Sequence, residues 1–340
     1  MNHSINFFRF VFTIIIAFSH CAVLSRWLPS GHIVVEFFFI VSGYFLYHHC
    51  TKYKEGVISY TKKRFYKFWL KAVLISLILN LMNLKYLLSF DFTDTIRHFT
   101  RESLLLYQII PLNDVIKISN NPVWYLSVLI YGGAFIYAII KTFPKLHKTT
   151  ILLLAFVCYM IMLNRSTDIQ QWEYPLPLIR GLAGISTGCL LYILKSQCKD
   201  VISIKLLNIL SIISVVISTL LLFCKTVHCI IPVICYFIII YACFTTKTIL
   251  HRLLNQNIFS KWSKISFEIF IGHMFFMSIA FPIIKYAINN HNNLTNLTTN
   301  ETIIGCIIYT IVLIVAGYTY KTVCNYIQKF LDSIFYNKSL

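Results

Sequence analysis

The sequence predicts an all-α, polytopic membrane protein with about ten transmembrane helices and both termini in the cytoplasm. Of its 340 residues, 58% are hydrophobic and only 12% are charged, whereas soluble domains are about 25% charged. The apolar stretches approach the roughly 20 residues with which an α-helix crosses a bilayer. They also lack the alternation of apolar and polar residues that is typical of strands in a membrane β-barrel.

The predicted spans form a single integral-membrane domain over residues 1–340. Their bounds are 5–24, 32–49, 65–84, 122–140, 149–163, 179–194, 203–224, 227–246, 265–288 and 302–320. Most Lys and Arg residues lie in the C-terminal tail and in the loops that follow the second, fourth, sixth and eighth spans. Positively charged short loops stay on the cytoplasmic side, so this distribution predicts the orientation of both termini.

The formal net charge of +18 arises in short loops between the spans. It therefore indicates membrane orientation and not a nucleic-acid partner. The Cys residues are mostly scattered within the apolar spans and show no CxxC spacing. We expect them to pack as small hydrophobic side chains, and we expect no metal.

Arg9 and His20 lie within the first apolar segment and share one face of it. Eleven steps of about 100° return a helix almost to its starting angle, over a rise of about 16 Å. An ionised Arg near the bilayer centre costs on the order of 2.5–3.5 kcal/mol on insertion scales. Both residues are therefore candidate catalytic residues. The alternative for Arg9 is a structural ion pair, or a side chain that reaches the inner interface.

Glu36 lies about one turn inside the second span, and a short connection joins the first two spans. If these two helices are antiparallel neighbours, the Glu36 carboxylate meets the His20 imidazole at a similar depth. A carboxylate that stabilises the protonated form of a His makes it an effective general base. The alternative is that the two side chains are satisfied separately in a polar cavity.

Further basic and ionisable residues extend this candidate site. Lys63, Arg64 and Lys67 belong to a basic run that enters the third span, where they can hold the phosphates of a nucleotide-like donor or simply orient the chain in the membrane. Arg180 opens the sixth span, and His273 lies within the ninth. Intramembrane ionisable residues usually face a bundle interior or a wet cavity, so together they predict a polar cavity.

Four segments carry a family resemblance. They are R-x10-H at Arg9 and His20, the run VVEFFFIVSG at 34–43 with Glu36 and Ser42, W-x-L-S from Trp124 to Ser127, and the late block from Ser263 to His273. In this order they resemble the acyltransferase-3 family of membrane acyltransferases, which modify cell-surface sugars.

The resemblance implies transfer of an acyl group, most often acetyl, from cytoplasmic acyl-CoA to a carbohydrate hydroxyl. It implies His20, Glu36 and Arg9 as catalytic residues, and Arg64, Lys67 and Lys63 as ligands of acetyl-CoA. Ser42, Trp124, Arg180 and His273 are then expected around the substrate cavity. The expected acceptor is a lipid-linked or polymeric surface carbohydrate such as O-antigen, capsule or exopolysaccharide, and the expected location is the inner membrane of a bacterium.

The sequence departs from the family pattern at two positions. The basic pair R-x-x-R is Arg64-x-x-Lys67 here, and a Lys cannot form the bidentate fork of an Arg. Leu129 stands where an acidic residue often follows the Trp motif, so no catalytic carboxylate is expected there. Direct transfer and a covalent acyl-His route both remain open.

Two other functions are compatible with many helices and buried charges. A transporter or flippase of lipid-linked sugars is the first, although paired spans interrupted by Gly or Pro are not found in corresponding halves of the sequence. A polysaccharide polymerase is the second, and the segment 85–121 is a modest candidate for its long outer loop.

Overall fold

The protein is built from helices that run between two ends of one bundle. The computed structural model describes residues 2–21, 24–87, 89–107, 109, 120, 122–163, 175–197, 202–288 and 298–336, with only the backbone for the last three. The helices are α1 (His3–His20), α2 (Val35–Lys52), α3 (Val57–Met82), α4 (Leu84–Leu87), α5 (Phe92–Ser103), α6 (Val123–Ser127), α7 (Gly133–Thr142), α8 (His147–Met162), α9 (Leu176–Gln197), α10 (Ile204–Leu221), α11 (Ile230–Cys243), α12 (Ile249–Leu254), α13 (Asn257–Trp262), α14 (Ser266–Ala287) and α15 (Thr299–Tyr336). Across these ranges the chain forms no β-sheet, and the all-α prediction is confirmed.

One end of the bundle carries the loops 53–56 and 143–146, the segment 244–256 with α12, and the start of α1, and we call it the basic end. Two contacts hold parts of this end together: the Tyr137 hydroxyl of α7 donates to the carbonyl of Glu55 at 2.9 Å, and the backbone N–H of His3 donates to Oδ1 of Asn255 at 2.9 Å. Its orientation toward the cytoplasm stays a prediction of the charge distribution.

Each of the ten predicted spans overlaps a helix, but fewer of them meet the requirements of a membrane span. Within the described ranges, seven helical stretches are long and apolar enough to cross a membrane: Gly31–Lys52, Val57–Met82, Val123–Thr142, Leu176–Gln197, Ile204–Leu221, Asn257–Ala287 and Thr299–Ser333. α8 and α11 have only 16 and 14 residues, and α1 carries Arg9 and polar residues at both ends. The predicted count of about ten is therefore not confirmed.

Two local features set the positions of α1 and α6. Asn2 caps α1 by accepting hydrogen bonds from the backbone N–H groups of Ser4 and Ile5, at 3.0 and 3.3 Å. Its Nδ2 donates to the carbonyl of Cys243 at 2.6 Å, which ties the start of α1 to the end of α11. α6 continues into α7 through one π-helical turn, Val128–Gly132, a distortion that is frequent at functional sites.

Helix packing decides which polar residues can meet. α2 and α9 are the most extensively packed pair, and glycines face the partner backbone on both. A Cβ on Gly43 would lie 1.9 Å from the carbonyl oxygen of Ile185, and a Cβ on Gly188 would lie 1.9 Å from that of Ile40. α1 packs against α13 and α14. The residues of α1 and α2 that lie far from the basic end therefore face different neighbours.

Candidate active site

A cavity of about 410 Å³ opens at the basic end, between α1, α2, α3, α6 and α14. Its volume lies within the range of small-molecule sites, about 300–1,000 Å³. Its polar lining includes Arg9, Ser42, Lys63, Arg64, Lys67 and Tyr125. The lining carries more cationic than anionic side chains, because Glu55 is the only carboxylate among the described residues that line it.

Arg9 is the cation that α1 contributes to this cavity. Its side chain is half-buried, and its guanidinium forms no hydrogen bond or ion pair with any residue that the structure describes. The neighbouring Thr13 hydroxyl donates to the backbone carbonyl of Arg9 at 2.7 Å. A half-buried charge without a partner is costly, so the site is suited to a ligand that carries oxygen acceptors or negative charge.

Arg64 is held rigidly on the α3 wall of the cavity. Its Nη1 donates to the Tyr60 hydroxyl at 2.6 Å, and its guanidinium carbon lies 5.5 Å from the centroid of the same ring. The ring of Tyr60 stacks on that of Tyr137, with centroids 4.0 Å apart. The Nε of Arg64 is buried without a partner. Lys67 lies one helical turn further along α3 and forms no ion pair with the described residues. Both positive charges therefore remain available to a ligand.

Glu55 lies at the mouth of the cavity, in the loop between α2 and α3. It accepts hydrogen bonds from the Lys63 ammonium at 2.7 Å, from the Ser59 hydroxyl at 2.6 Å and from Nε2 of His49 at 2.9 Å. These three contacts lower the pKa of Glu55 to about 2. The carboxylate is therefore ionised at any working pH, and it neutralises the cation nearest the entrance.

Three aromatic rings close the inner end of the cavity. The centroids of Phe38, Tyr125 and Phe270 lie 5.1 to 6.5 Å from one another, each on a different helix. On each helix these residues are the lining positions furthest from the basic end. The hydroxyl of Ser42 lies beside that of Tyr125, so a polar group is present where the cavity ends.

His20 and His273 lie beyond this closed end and face each other. Their rings stack with centroids 5.1 Å apart. Because a carbonyl can only accept, Nδ1 of His273 is the N–H that donates to the carbonyl of Phe270, at 2.7 Å. Its Nε2 is buried and has no hydrogen-bond partner. The Tyr309 hydroxyl reaches the carbonyls of Ala17 and His273 at 3.4 and 3.3 Å, which holds α1 and α14 together at this depth.

Glu36 forms a buried ion pair with Arg180. The Nε of Arg180 donates to Oε1 of Glu36 at 2.5 Å, and its Nη2 donates to the backbone carbonyl of His32 at 3.0 Å. The guanidinium also lies 6.0 Å from the ring centroid of Trp124. The second carboxylate oxygen of Glu36 is buried without a partner. This cluster joins α2, α6 and α9 near the end of the bundle opposite to the basic end.

Comparison with known proteins agrees with the four motifs. The family model of the acyltransferase-3 family, described as an acyltransferase domain, matches residues 2–321. The chain belongs to the acyltransferase-3 family. Searches of curated proteins and of solved structures found no match. The resemblance that the sequence indicates is thereby confirmed over essentially the whole chain.

For this acyltransferase, the predicted pairing of His20 with Glu36 is wrong in its geometry. The carboxylate of Glu36 bonds to Arg180, and the structure has no hydrogen bond between Glu36 and His20. The packing of the helices explains this: Arg180 lies on α9, which packs along α2, and His273 lies on α14, which packs against α1. Glu36 therefore pairs with Arg180, and His20 stacks on His273.

The predicted site residues fall into three groups in the acyltransferase. The cavity brings together Arg9, Ser42, Lys63, Arg64 and Lys67. The second group is the His20–His273 pair, and the third is Glu36, Arg180 and Trp124. Neither the second nor the third group lines this cavity. Within the described ranges, no three His, Cys, Asp or Glu side chains converge as metal ligands.

Sequence reasoning missed three residues of this acyltransferase site: Glu55, Tyr60 and Tyr125. Glu55 could have been recognised from the sequence, because it is a single acidic residue within the basic stretch 52–64. Tyr60 precedes Arg64 by four residues, a spacing at which helical side chains meet. Tyr125 follows Trp124 within the W-x-L-S motif, but no pattern in the sequence indicates that its side chain faces Arg9.

Proposed function

We propose that the protein is an O-acetyltransferase that transfers acetyl from acetyl-CoA to a hydroxyl of a cell-surface carbohydrate such as O-antigen, capsule or exopolysaccharide. The observation that carries the proposal is the cavity at the basic end. There Arg9, Arg64 and Lys67 point positive charge into one space and have no carboxylate partner among the described residues. A donor with phosphates at one end and a thioester at the other complements this charge.

In this proposal the donor enters from the basic end, which we expect to face the cytoplasm. Its phosphates bind Lys63, Arg64 and Lys67, and Arg64 is already held in place by Tyr60. The pantetheine arm passes the apolar side chains of Val41, Phe45 and Leu129. Arg9 then donates to the thioester carbonyl at the inner end of the cavity. Since Lys67 replaces an Arg of the family pattern, it contributes charge without the bidentate geometry.

The chemistry that we propose combines Arg9 and His20. The acceptor hydroxyl loses its proton to the His20 imidazole while its oxygen forms a bond to the thioester carbonyl carbon. Arg9 stabilises the negative charge on the carbonyl oxygen, and the bond to sulfur breaks to release CoA as a thiolate. This step is direct transfer. In the alternative route the His20 imidazole attacks the thioester carbonyl carbon and CoA leaves as a thiolate; the acceptor hydroxyl then attacks the acyl group, its proton passes to the imidazole, and the bond between the acyl group and His20 breaks. Glu36 acts in this scheme as a positioning residue through Arg180.

The scheme requires the aromatic closure to open. Arg9 and His20 are about 16 Å apart along α1, and the rings of Phe38, Tyr125 and Phe270 end the cavity between them. Rotation of these side chains would join the donor cavity to the histidine pair, and the side chains of Arg9 and His20 would then extend toward each other to act on one carbonyl group. The carbohydrate is expected to approach from the opposite end, near Arg180 and Trp124.

The test compares the surface glycan of paired bacterial strains with and without this protein, by mass spectrometry and NMR. A mass difference of one acetyl group per repeat, lost again when His20→Ala replaces the wild type, supports the proposal. NMR identifies the acyl group and the hydroxyl that carries it. Loss or shortening of the polymer, with unchanged acetylation of what remains, overturns the proposal and indicates transport or polymerisation.

A further inference from the structure

The loop between α2 and α3 holds a carboxylate in a place suited to a phosphate. Glu55 accepts hydrogen bonds from an ammonium, a hydroxyl and an imidazole, with the donors Lys63, Ser59 and His49 at 2.6 to 2.9 Å. The exposed fraction of its side chain is 11%. Three donors that converge on one pair of anionic oxygens form the kind of arrangement that binds a phosphate group.

The backbone of this loop is anchored, so the side chain of Glu55 can move alone. The Tyr137 hydroxyl donates to the carbonyl of Glu55 at 2.9 Å. The Lys141 ammonium donates to the carbonyls of Tyr53 and Cys50 at 3.2 and 3.3 Å. A change of rotamer at Glu55 would therefore release its three donors without a movement of the loop.

His49, Glu55 and Lys63 lie between the main cavity and a second space, a groove at the surface. His49, Glu55 and Lys63 line the main cavity, and they also line an open surface groove together with Tyr53, Lys54, Gly56 and Ser59. The groove has a volume of about 520 Å³. When Glu55 moves, the cavity and the groove become continuous at this point. A donor that is longer than the cavity can then extend into the groove, where Lys54 adds positive charge.

We propose that Glu55 is a displaceable counter-ion of the donor site and that a phosphate group of the acyl donor takes its place. In the structure its carboxylate neutralises Lys63 at the mouth of the cavity. A phosphate displaces it and takes over the donors Lys63, His49 and Ser59. A thioester without phosphates cannot replace these contacts. This inference rests on the proposed donor, and it adds the residue that a phosphate of that donor displaces.

Two observations make the displacement physically reasonable. The Lys63 side chain is 74% exposed, so its ion pair with Glu55 is screened by solvent and is weak. A phosphate monoester carries up to two charges and more acceptor oxygens than a carboxylate. The pKa of Glu55 is about 2, so protonation does not remove the carboxylate at neutral pH and a competing anion is needed.

The experiment measures binding of acetyl-CoA and of acetyl-pantetheine to the full chain in nanodiscs. Glu55→Gln keeps the size and hydrogen-bonding capacity of the side chain but removes the competing charge. We expect its Kd for acetyl-CoA to fall about three- to tenfold, with an unchanged Kd for acetyl-pantetheine. Asp332→Asn is the matched control, because Asp332 is an exposed acid on α15 that does not line the cavity. It should change neither Kd.

Each other result has a distinct meaning. If the wild type binds acetyl-CoA and Glu55→Gln binds it equally or more weakly, Glu55 is a structural latch and the inference falls while the proposed donor stands. If Glu55→Gln tightens both compounds equally, the effect is not selective for phosphate and the inference also falls. If the wild type does not bind acetyl-CoA, the proposed donor fails together with this inference. An unchanged Kd for acetyl-pantetheine shows that the variant is folded.

Discussion

The Nε of Arg180 donates a hydrogen bond to Oε1 of Glu36 at 2.5 Å, across the interface of α9 and α2. Glu36 is only 1% exposed. Removal of one member of a buried ion pair leaves an uncompensated charge and costs about 3–5 kcal/mol. The pair therefore links the two most extensively packed helices through the acidic residue of the second family motif, and it gives Glu36 a positioning role.

The Glu36–Arg180 pair predicts strong coupling between two substitutions. Glu36→Gln and Arg180→Gln should each lower the free energy of unfolding by about 2–4 kcal/mol, and the double variant should lose about 1–3 kcal/mol less than their sum. Thermal unfolding of the purified protein in detergent measures the cycle. We also expect each single variant to lower the turnover of acetyl transfer per folded molecule, because Arg180 also lies beside Trp124.

The control for this cycle is the ion pair in which Lys71 contacts the buried Glu268 at 2.5 Å. Neither residue lines the cavity. Glu268→Gln should therefore cost stability to a similar extent and leave the turnover per folded molecule unchanged. Full transfer by Glu36→Gln, or equal loss of turnover in Glu36→Gln and Glu268→Gln, would contradict the positioning role.

The fold and the family could be predicted from the sequence because both depend on local patterns. Apolar stretches are visible without a structure, and each of them became a helix. The 11-residue spacing correctly places Arg9 and His20 on one helix, but it cannot show what faces each of them. Those neighbours depend on the approach of α2 to α9, which two glycines permit, and on the packing of α1 along α14.

The site was predictable only where its residues are consecutive or periodic. Lys63, Arg64 and Lys67 form a visible basic run, and they do line one cavity with Arg9. The partner of Glu36 was not predictable, since Arg180 is 144 residues away in the sequence. The count of about ten spans is not confirmed, because α8 and α11, with 16 and 14 residues, are shorter than the roughly 20 residues of a typical membrane span.

The glycines of the α2–α9 interface predict a stability effect that is independent of catalysis. A methyl group on Gly43 or Gly188 would collide with a backbone carbonyl at 1.9 Å, and a backbone atom cannot rotate away. We expect Gly43→Ala and Gly188→Ala each to lower the free energy of unfolding by about 1–3 kcal/mol or more. Thermal unfolding checks this.

Gly133→Ala is the matched control for the glycine variants. Its nearest neighbour would be Cδ1 of Leu46 at 3.5 Å, an ordinary contact, and Ala has the better helix propensity. Its stability should be equal to that of the wild type or slightly higher. If all three alanine variants are equally stable, the close approach of α2 and α9 is wrong.

The position of His20 predicts that its substitution lowers turnover but does not weaken binding of the donor. It does not line the cavity at the basic end, so His20→Ala should leave the Kd for acetyl-CoA unchanged. Loss of a general base reduces turnover by about 10²–10⁴-fold, and we expect at least that in a membrane assay with labelled acetyl-CoA. His48→Ala is the control, since this exposed histidine at the basic end contacts only Tyr192 through its ring nitrogen. Normal product in His20→Ala at unchanged protein level would remove His20 from the mechanism.

The position of Arg9 predicts that two substitutions of this residue lower turnover to different extents. Its guanidinium lies in the cavity without a partner in the described part of the chain, so Arg9→Gln should not leave a buried acid uncompensated and the protein should remain folded. We expect turnover to fall by about 100-fold or more, because the charge on the carbonyl oxygen loses its main donor. Arg9→Lys keeps the positive charge but cannot form the bidentate hydrogen bonds of a guanidinium. Its turnover should lie between that of the wild type and that of Arg9→Gln. Arg252→Gln removes an exposed charge from the same end and should have no effect on turnover. If Arg9→Gln matches Arg252→Gln, Arg9 has a structural or orienting role and the electrostatic part of the mechanism is wrong.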